Sequence, residues 1–209
     1  TPLSVIKSGE YLIGKSSELD KIRSIATQNT IQVDAISHLV DNLLLMTRVD
    51  NRQVAFNLQK LDWNECVQKV VETQRASAAG RGITLIHEAD QTHPAALIDD
   101  EMMANALREL LDNAIRYSPN ESTVRIVCST PQCTVKFIDE GIGIGESDQP
   151  HIFEQFYRVD ASHNTRGFGL GLPIARAVAE RHNGRVELES SSEQGSVFSL
   201  WIPAAPLNL

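Results

Sequence analysis

Two runs of alternating glycines limit what this chain can fold into more than any other feature. They are Gly141-Ile-Gly-Ile-Gly145 and Gly167-Phe-Gly-Leu-Gly171. The first follows Val135-Lys-Phe-Ile-Asp139, an apolar strand pattern ending in a carboxylate. The second opens a helical pattern running from about Leu172 to Asn183. Glycines leave a wall without side chains, against which a flat ring can lie. The free N–H groups at a helix start favour an anion. Residues 141–166 form a long connection holding one short apolar segment, Ile152–Tyr157, and a connection of that length is usually functional.

A third segment precedes these two: Glu109-Leu-Leu-Asp-Asn-Ala-Ile-Arg-Tyr-Ser118. Glu109, Asn113 and Arg116 are spaced i, i+4, i+7, so they share one helix face. Asn113 sits among Leu110, Leu111, Ala114 and Ile115, where an amide must find partners. A structural hydrogen bond satisfies it; so does a cation, because an amide oxygen suits Mg²⁺, which takes few protein ligands. Arg116 can reach a phosphate, and Tyr117 can stack on a base. Asp139 can accept a hydrogen bond from an exocyclic amine or cap the turn after its strand. Each signal is weak alone. Their order and separation together point to a nucleotide pocket.

The chain has 209 residues, 42% hydrophobic and 22% charged, enough for one large or two small domains with a substantial core. No run of about 18 apolar residues exists, so neither a membrane span nor direct membrane contact is expected in this chain. Residues 1–16 lack a basic start with a clean apolar block, so no secretory leader is expected there. Net charge is −8, carried by residues 61–209 at −9 while residues 1–60 sit at +1. Such acidity argues against nucleic-acid binding. It also makes a bare polyphosphate unwelcome unless a divalent cation and local arginines offset the field. Cys66, Cys128 and Cys133 contain no C-x-x-C pair, so they read as buried small hydrophobes in a reducing compartment.

Residues 1–49 carry helical spacing throughout. Val5, Leu12, Leu19 and Ala26 recur every seven residues, and Ile36, Leu39, Val40, Leu43 and Met46 form a second stripe. Thr27-Gln-Asn-Thr30 reads as a turn or cap between two arms. Such a hairpin cannot bury both stripes alone, so a homodimeric four-helix bundle is expected. Asp50–Lys60 reads as linker. Beyond it, Asp62 with Glu65 starts a helix that runs to Gly80 or Gly82. Strands are predicted at Ile83–Glu88, Ala95–Ile98, Thr123–Ser129, Cys133–Ile138, Arg185–Ser190 and Gly195–Ile202. Asp99 or Asp100 caps the Asn113 helix, and Pro119 stops it. The predicted fold class is α+β: a helical hairpin, then an α/β two-layer sandwich with helices on one face of a mixed sheet.

The order, residue types and separations of these segments resemble the N, G1, F and G2 boxes of sensor histidine kinases, whose ATP-binding domain is shared with gyrase, Hsp90 and MutL. Phe153-Glu-Gln-Phe-Tyr-Arg158 matches the F box, and Gly195-Ser-Val-Phe-Ser-Leu-Trp-Ile-Pro203 resembles the closing strand. The resemblance covers essentially the whole chain. It implies a dimerisation and phosphotransfer hairpin at 1–54, a linker at 55–60 and an ATP-binding domain at 61–209. It implies ATP and Mg²⁺ as ligands, with Asn113 holding the metal, Arg116 and Arg158 on phosphates, Tyr117 lining the base and Asp139 on the adenine amine. Gly141, Gly143, Ile144, Tyr157, Arg166, Gly167, Gly169, Leu170 and Gly171 complete the implied pocket, and residues 141–166 form its lid.

Thr1-Pro-Leu3 resembles the end of the family's H box, which places the phospho-accepting histidine just upstream of Thr1. None of the six histidines present takes its place; His38 reads as part of a solvated helix face, and His87, His93, His151, His163 and His182 as surface or packing residues. Thr1 matches the position that orients water toward an aspartyl phosphate in relatives with phosphatase activity. A response-regulator receiver domain is the implied partner, and the implied setting is the cytoplasmic portion of a bacterial inner-membrane protein. Glu109 departs from the family pattern, which more often carries Asn. As in gyrase-like relatives, it can activate water or assist Mg²⁺; a hydrogen bond to Arg116 or to backbone is the other reading.

Three other readings compete. Gly9-Glu-Tyr-Leu-Ile-Gly-Lys-Ser16 matches a P-loop pattern, but Tyr11, Leu12 and Ile13 are bulky for that curl and fit the helical spacing. A gyrase- or Hsp90-like ATPase is favoured by Glu109 and opposed by the Thr-Pro-Leu hairpin. A decayed, non-catalytic module is opposed by the intact Asn113, Asp139 and both glycine runs.

Overall fold

The computed structural model describes residues 2–13, 18–50, 56–89, 92, 94–129, 132–159 and 168–205. Helix α1 (Pro2–Ile13) packs along α2 (Leu19–Asp50). They press together at Gly9, which is buried; a methyl group there would collide with Asn29 of α2. Asn29 Nδ2 also donates to the Ile6 carbonyl at 3.3 Å.

The turn expected at Thr27–Thr30 is not there: those residues lie inside α2. Thr27 Oγ1 and Thr30 Oγ1 donate to the carbonyls of Arg23 and Ala26, one turn back, so their hydroxyls are satisfied without leaving the helix. The P-loop reading also fails on its described residues, because Gly9–Ile13 are helical; Gly14–Ser16 lie outside the described residues.

After the hairpin come β1 (Gln59–Asp62), α3 (Trp63–Ala79), β2 (Thr84–Ala89), β3 (Ala95–Ile98), α4 (Asp100–Tyr117), β4 (Thr123–Ser129), β5 (Cys133–Ile138), α5 (Gly171–Arg181), β6 (Arg185–Ser192) and β7 (Gly195–Ile202). Strand β1 falls partly within the expected linker. It forms a two-stranded ribbon with β3, Gln59 opposite Ile98 and Asp62 opposite Ala95. Three polar residues and one leucine carry no strand signal until a partner supplies the ladder. The main sheet has the order β2-β4-β5-β7-β6, with β2 parallel to β4 and all other pairs antiparallel.

Alternation along the strands settles the layering. Val124, Ile126 and Cys128 of β4, Val135 and Phe137 of β5, and Phe198, Leu200 and Ile202 of β7 are buried. They form one core with Trp63 and Val67 of α3, Leu107, Leu110 and Leu111 of α4, and Ile174 and Val178 of α5. This is the α/β two-layer sandwich expected. All three cysteines are free and buried. No helix among the described residues is long and apolar enough to cross a membrane.

Two caps set the helices that matter for the site. Asp62 accepts from Glu65 N–H at 3.2 Å, and Asp99 from Met102 N–H at 3.1 Å. Buried His182 completes the second cap. Its Nδ1 donates to the Val178 carbonyl at 2.8 Å, and its Nε2 accepts the Asp99 N–H at 3.0 Å, so the ring is neutral. Burial, with Arg181 adding to it, holds the His182 pKa below the ordinary value against the pull of the Val178 carbonyl and Asp99. A depressed histidine contributes stability above the unfolded pKa of about 6.5, lost as pH falls toward the folded one. The melting temperature should therefore drop between pH 7 and pH 5 through this residue. A pH series of thermal melts checks it, with His182→Gln, which keeps one donor and one acceptor, expected to flatten the slope.

Candidate functional site

Helix α4 crosses the sheet so that its C-terminal half meets the loops after β5 and before α5. Its end is fastened by Arg81, which donates to the carbonyls of Ile115, Arg116 and Ser118, the last two at 2.9 Å. Sequence reading did not single out this arginine, since nothing local shows that it reaches 35 residues along the chain. The result is a cavity of about 350 Å³ whose lining includes Asn113, Arg116, Tyr117, Asp139, Gly143, Ile144, Tyr157, Arg158, Gly169, Leu170 and Gly171. With Glu109, which also lines it, twelve of the residues expected from sequence thus converge. Thr1, Arg166 and Gly167 lie outside the described residues, as do His93 and His163.

Asp139, at the end of β5, is 8% exposed. Its Oδ1 accepts the N–H groups of Gly141 at 2.8 Å and Ser196 at 3.1 Å. Both bonds fall on one oxygen, which leaves Oδ2 its acceptor capacity toward the cavity. Burial raises this carboxyl above its ordinary pKa, while the two backbone bonds pull the other way. Ser196 was not among the residues expected; it sits 57 positions away on β7.

The side-chain-free wall expected of Gly141, Gly143 and Gly145 is only partly found. Gly143 lines the cavity, but Gly141 and Gly145 do not. The missing side chains of Gly141 and Gly143 face protein, the main chain at Tyr117 and at Ser192 respectively, so these glycines serve close packing of the turn. Tyr157 is fixed by donating from its hydroxyl to Asp148 Oδ1 at 2.6 Å.

Helix α5 differs from α3 and α4 at its start: Leu170, its N-cap, makes no side-chain capping bond. Its first turn faces the cavity through Gly171, Leu172 and Pro173. Proline has no N–H, which leaves Gly171 and Leu172 as donors to an anion. Asn113 is half-buried on the cavity wall rather than enclosed by its leucine neighbours. Its amide oxygen is a hard donor suited to Mg²⁺, and the described residues hold no cluster of three His, Cys, Asp or Glu that would suit a metal wanting more protein ligands.

Two acidic residues of α4 stand beside it. Glu109 does not pair with Arg116; its Oε1 accepts from Asn42 Nδ2 of α2 at 3.1 Å. Asp112 also lines the cavity and was not singled out from sequence. Burial and then the Glu109 charge push its carboxyl up to about 6, against Arg116, Arg108 and His38. The folded state binds the extra proton, so the Asp112 contribution to stability is present at low pH and lost as pH rises through about 6. Asp112→Asn should stabilise the fold by about 1 kcal/mol at pH 7.5, after discounting for solvent at a half-buried site. The gain should vanish near pH 4; urea unfolding at both pH values tests this. His38 is exposed, as expected, yet it lines the cavity mouth from α2.

A family profile described as histidine kinase-, DNA gyrase B- and HSP90-like ATPase matches residues 98–206. The chain is similar to the sensor-like histidine kinase SenX3 of Mycolicibacterium smegmatis, 31% identical over 201 residues, 94% of this chain and 52% of that protein. It is similar to the sensor histidine kinase CusS of Escherichia coli, 30% identical over 209 residues, 98% of this chain and 43% of that protein. The chain spans about half the length of these curated relatives. Its fold matches the histidine kinase AdeS of Acinetobacter baumannii with a TM-score of 0.74 at 23% identity, over 99% of this chain and 96% of that one. It also matches full-length ShkA in complex with AMPPNP, with a TM-score of 0.76 at 19% identity, over 98% of this chain and 46% of that one. With its profile match covering more than half of the chain and its site built on the same segments, this chain belongs to the family of histidine kinase-, DNA gyrase B- and HSP90-like ATPases.

Proposed function

We propose that this chain is the ATP-binding and dimerising core of a two-component sensor histidine kinase. The observation that carries the nucleotide reading is the Asp139 carboxylate, pinned by two backbone N–H groups on the wall of a cavity that the uncapped start of α5 also lines. Asp139 holds the adenine amine, and Tyr117 and Ile144 flank the base. Arg116, Arg158 and the N–H groups of Gly171 and Leu172 meet the phosphates. The Asn113 amide oxygen would hold Mg²⁺, which supplies charge neutralisation of the triphosphate when bound. Catalysis then rests on positioning and charge neutralisation.

The γ-phosphoryl group passes to the histidine that the Thr1-Pro-Leu3 resemblance places upstream of Thr1, and from there to an aspartate of a receiver domain. Thr1 serves the reverse, phosphatase direction. The hairpin 1–54 dimerises: α1 and α2 leave Leu3, Val5, Leu12, Val33, Val40, Leu43 and Leu44 exposed, an apolar surface that a second hairpin covers. The parent protein places this core on the cytoplasmic side of a membrane.

Calorimetry should show Mg-dependent ATP binding that Asn113→Ala and Asp139→Ala abolish and Lys15→Ala leaves intact. The protein extended upstream through the expected histidine should acquire an acid-labile, base-stable label from γ-labelled ATP. ATP binding without such labelling would leave a gyrase-like ATPase and overturn the kinase assignment.

A further inference from the structure

Helix α2 does more than pair with α1. It lies along the mouth of the nucleotide cavity and contributes part of its wall through Ile31, Asp34, Ala35, His38 and Asn42. One polar bond ties that wall to the phosphate end: Asn42 Nδ2 to Glu109 Oε1, across 67 residues of chain. The other oxygen of Glu109 rests against Gly171, so tightly that a methyl group there would collide with it. Glu109 therefore presents a carboxylate at the uncapped start of α5, where the helix dipole and free N–H groups favour an anion. Further along, Arg181 of α5 donates to the Val49 carbonyl of α2 at 2.7 Å and stacks over Phe56 at 4.3 Å, so the two bodies touch at both ends of the contact.

We propose that Asn42 and Glu109 form an interdomain latch that holds α2 over the nucleotide cavity and keeps an internal carboxylate at the phosphate end until the latch opens. This inference rests on the nucleotide reading above. It accounts for the acidic residue at position 109: a carboxylate accepts a charge-assisted bond from Asn42, about twice as strong as the neutral bond an amide would make. Glu109 acts here as a positioning residue. Nucleotide reaches the site only in the fraction of molecules whose latch is open, so the observed association rate scales with that fraction.

Stopped-flow association of a fluorescent ATP analogue with Mg²⁺ measures it. Asn42→Ala should raise the association rate constant about tenfold, and Glu109→Gln, which keeps only a neutral acceptor for Asn42, about threefold. In Asn42→Asp with Glu109→Gln, donor and acceptor exchange places, so the bond re-forms and the rate should return toward the wild-type value. Amide hydrogen exchange over residues 31–42 should rise in the single variants and fall back in the double one. An unchanged rate in Asn42→Ala, or a double variant as fast as the singles, overturns the latch. A wild-type protein that binds no nucleotide overturns the nucleotide reading itself, and the latch with it.

Discussion

Asp139→Asn should weaken ATP binding about 100-fold at pH 7.5 while the protein stays folded. The carboxylate uses Oδ1 to accept two backbone N–H groups, at 2.8 and 3.1 Å. An asparagine must keep its oxygen there, which turns its NH₂ toward the cavity. A donor then faces the adenine amine, also a donor. The lost bond to a charged group is worth about 1.5–3 kcal/mol, and each 1.4 kcal/mol is about tenfold. Protonation has the same effect in the unmutated protein, because a protonated Oδ2 also donates. Since burial raises the Asp139 pKa, ATP affinity should fall as pH drops through that raised value. Asp139→Asn should lack that pH dependence. Calorimetry from pH 5 to 8, run in an Asp112→Asn background to silence the second raised carboxyl, separates the two. An affinity loss below about threefold would mean that Asp139 does not read the base.

Gly195→Ala should cost about 3 kcal/mol of stability and lower the melting temperature by about 6–12 °C. Gly195 has φ +130°, a conformation reserved for glycine, and a methyl group there would collide with the Asp139 carbonyl. Main chain cannot swing aside as a side chain can. The next residue, Ser196, exchanges bonds with Asp139: its carbonyl accepts the Asp139 N–H at 3.0 Å and its N–H reaches Oδ1. The strain would thus pass directly to the adenine-reading carboxylate, and ATP binding should fail along with stability. Gly145→Ala is the contrast. Its nearest neighbours are the side-chain oxygens of Asp148 and Ser147 at 3.3 and 3.9 Å, so that substitution should be nearly neutral. Chemical denaturation of both variants checks the pair; equal midpoints would refute the argument.

What was legible in the sequence was whatever is encoded over a few residues. Asp62 as a cap, a cap for α4 at Asp99 or Asp100, Pro119 as a stop, and the alternation of β4, β5 and β7 all follow from local hydrogen bonding or side-chain period. The same local logic misled at Thr27–Thr30, where turn-forming side chains found acceptors inside their own helix. It also passed over Gln59–Asp62, a strand only because β3 lies beside it.

The kinds of groups at the site and their order along the chain are written in the residues: an amide and an arginine on one helix face, a carboxylate ending a strand, and a glycine turn opening a helix. Those properties depend on residue type and spacing alone. Long-range packing alone sets which oxygen of Asp139 is left for a ligand, that Arg81 fastens the end of α4, and that Glu109 faces Asn42 rather than Arg116. Each of those outcomes joins residues 35 to 67 positions apart. A hydrogen bond is selected by proximity within about 3 Å and by angle, and no local pattern carries that distance.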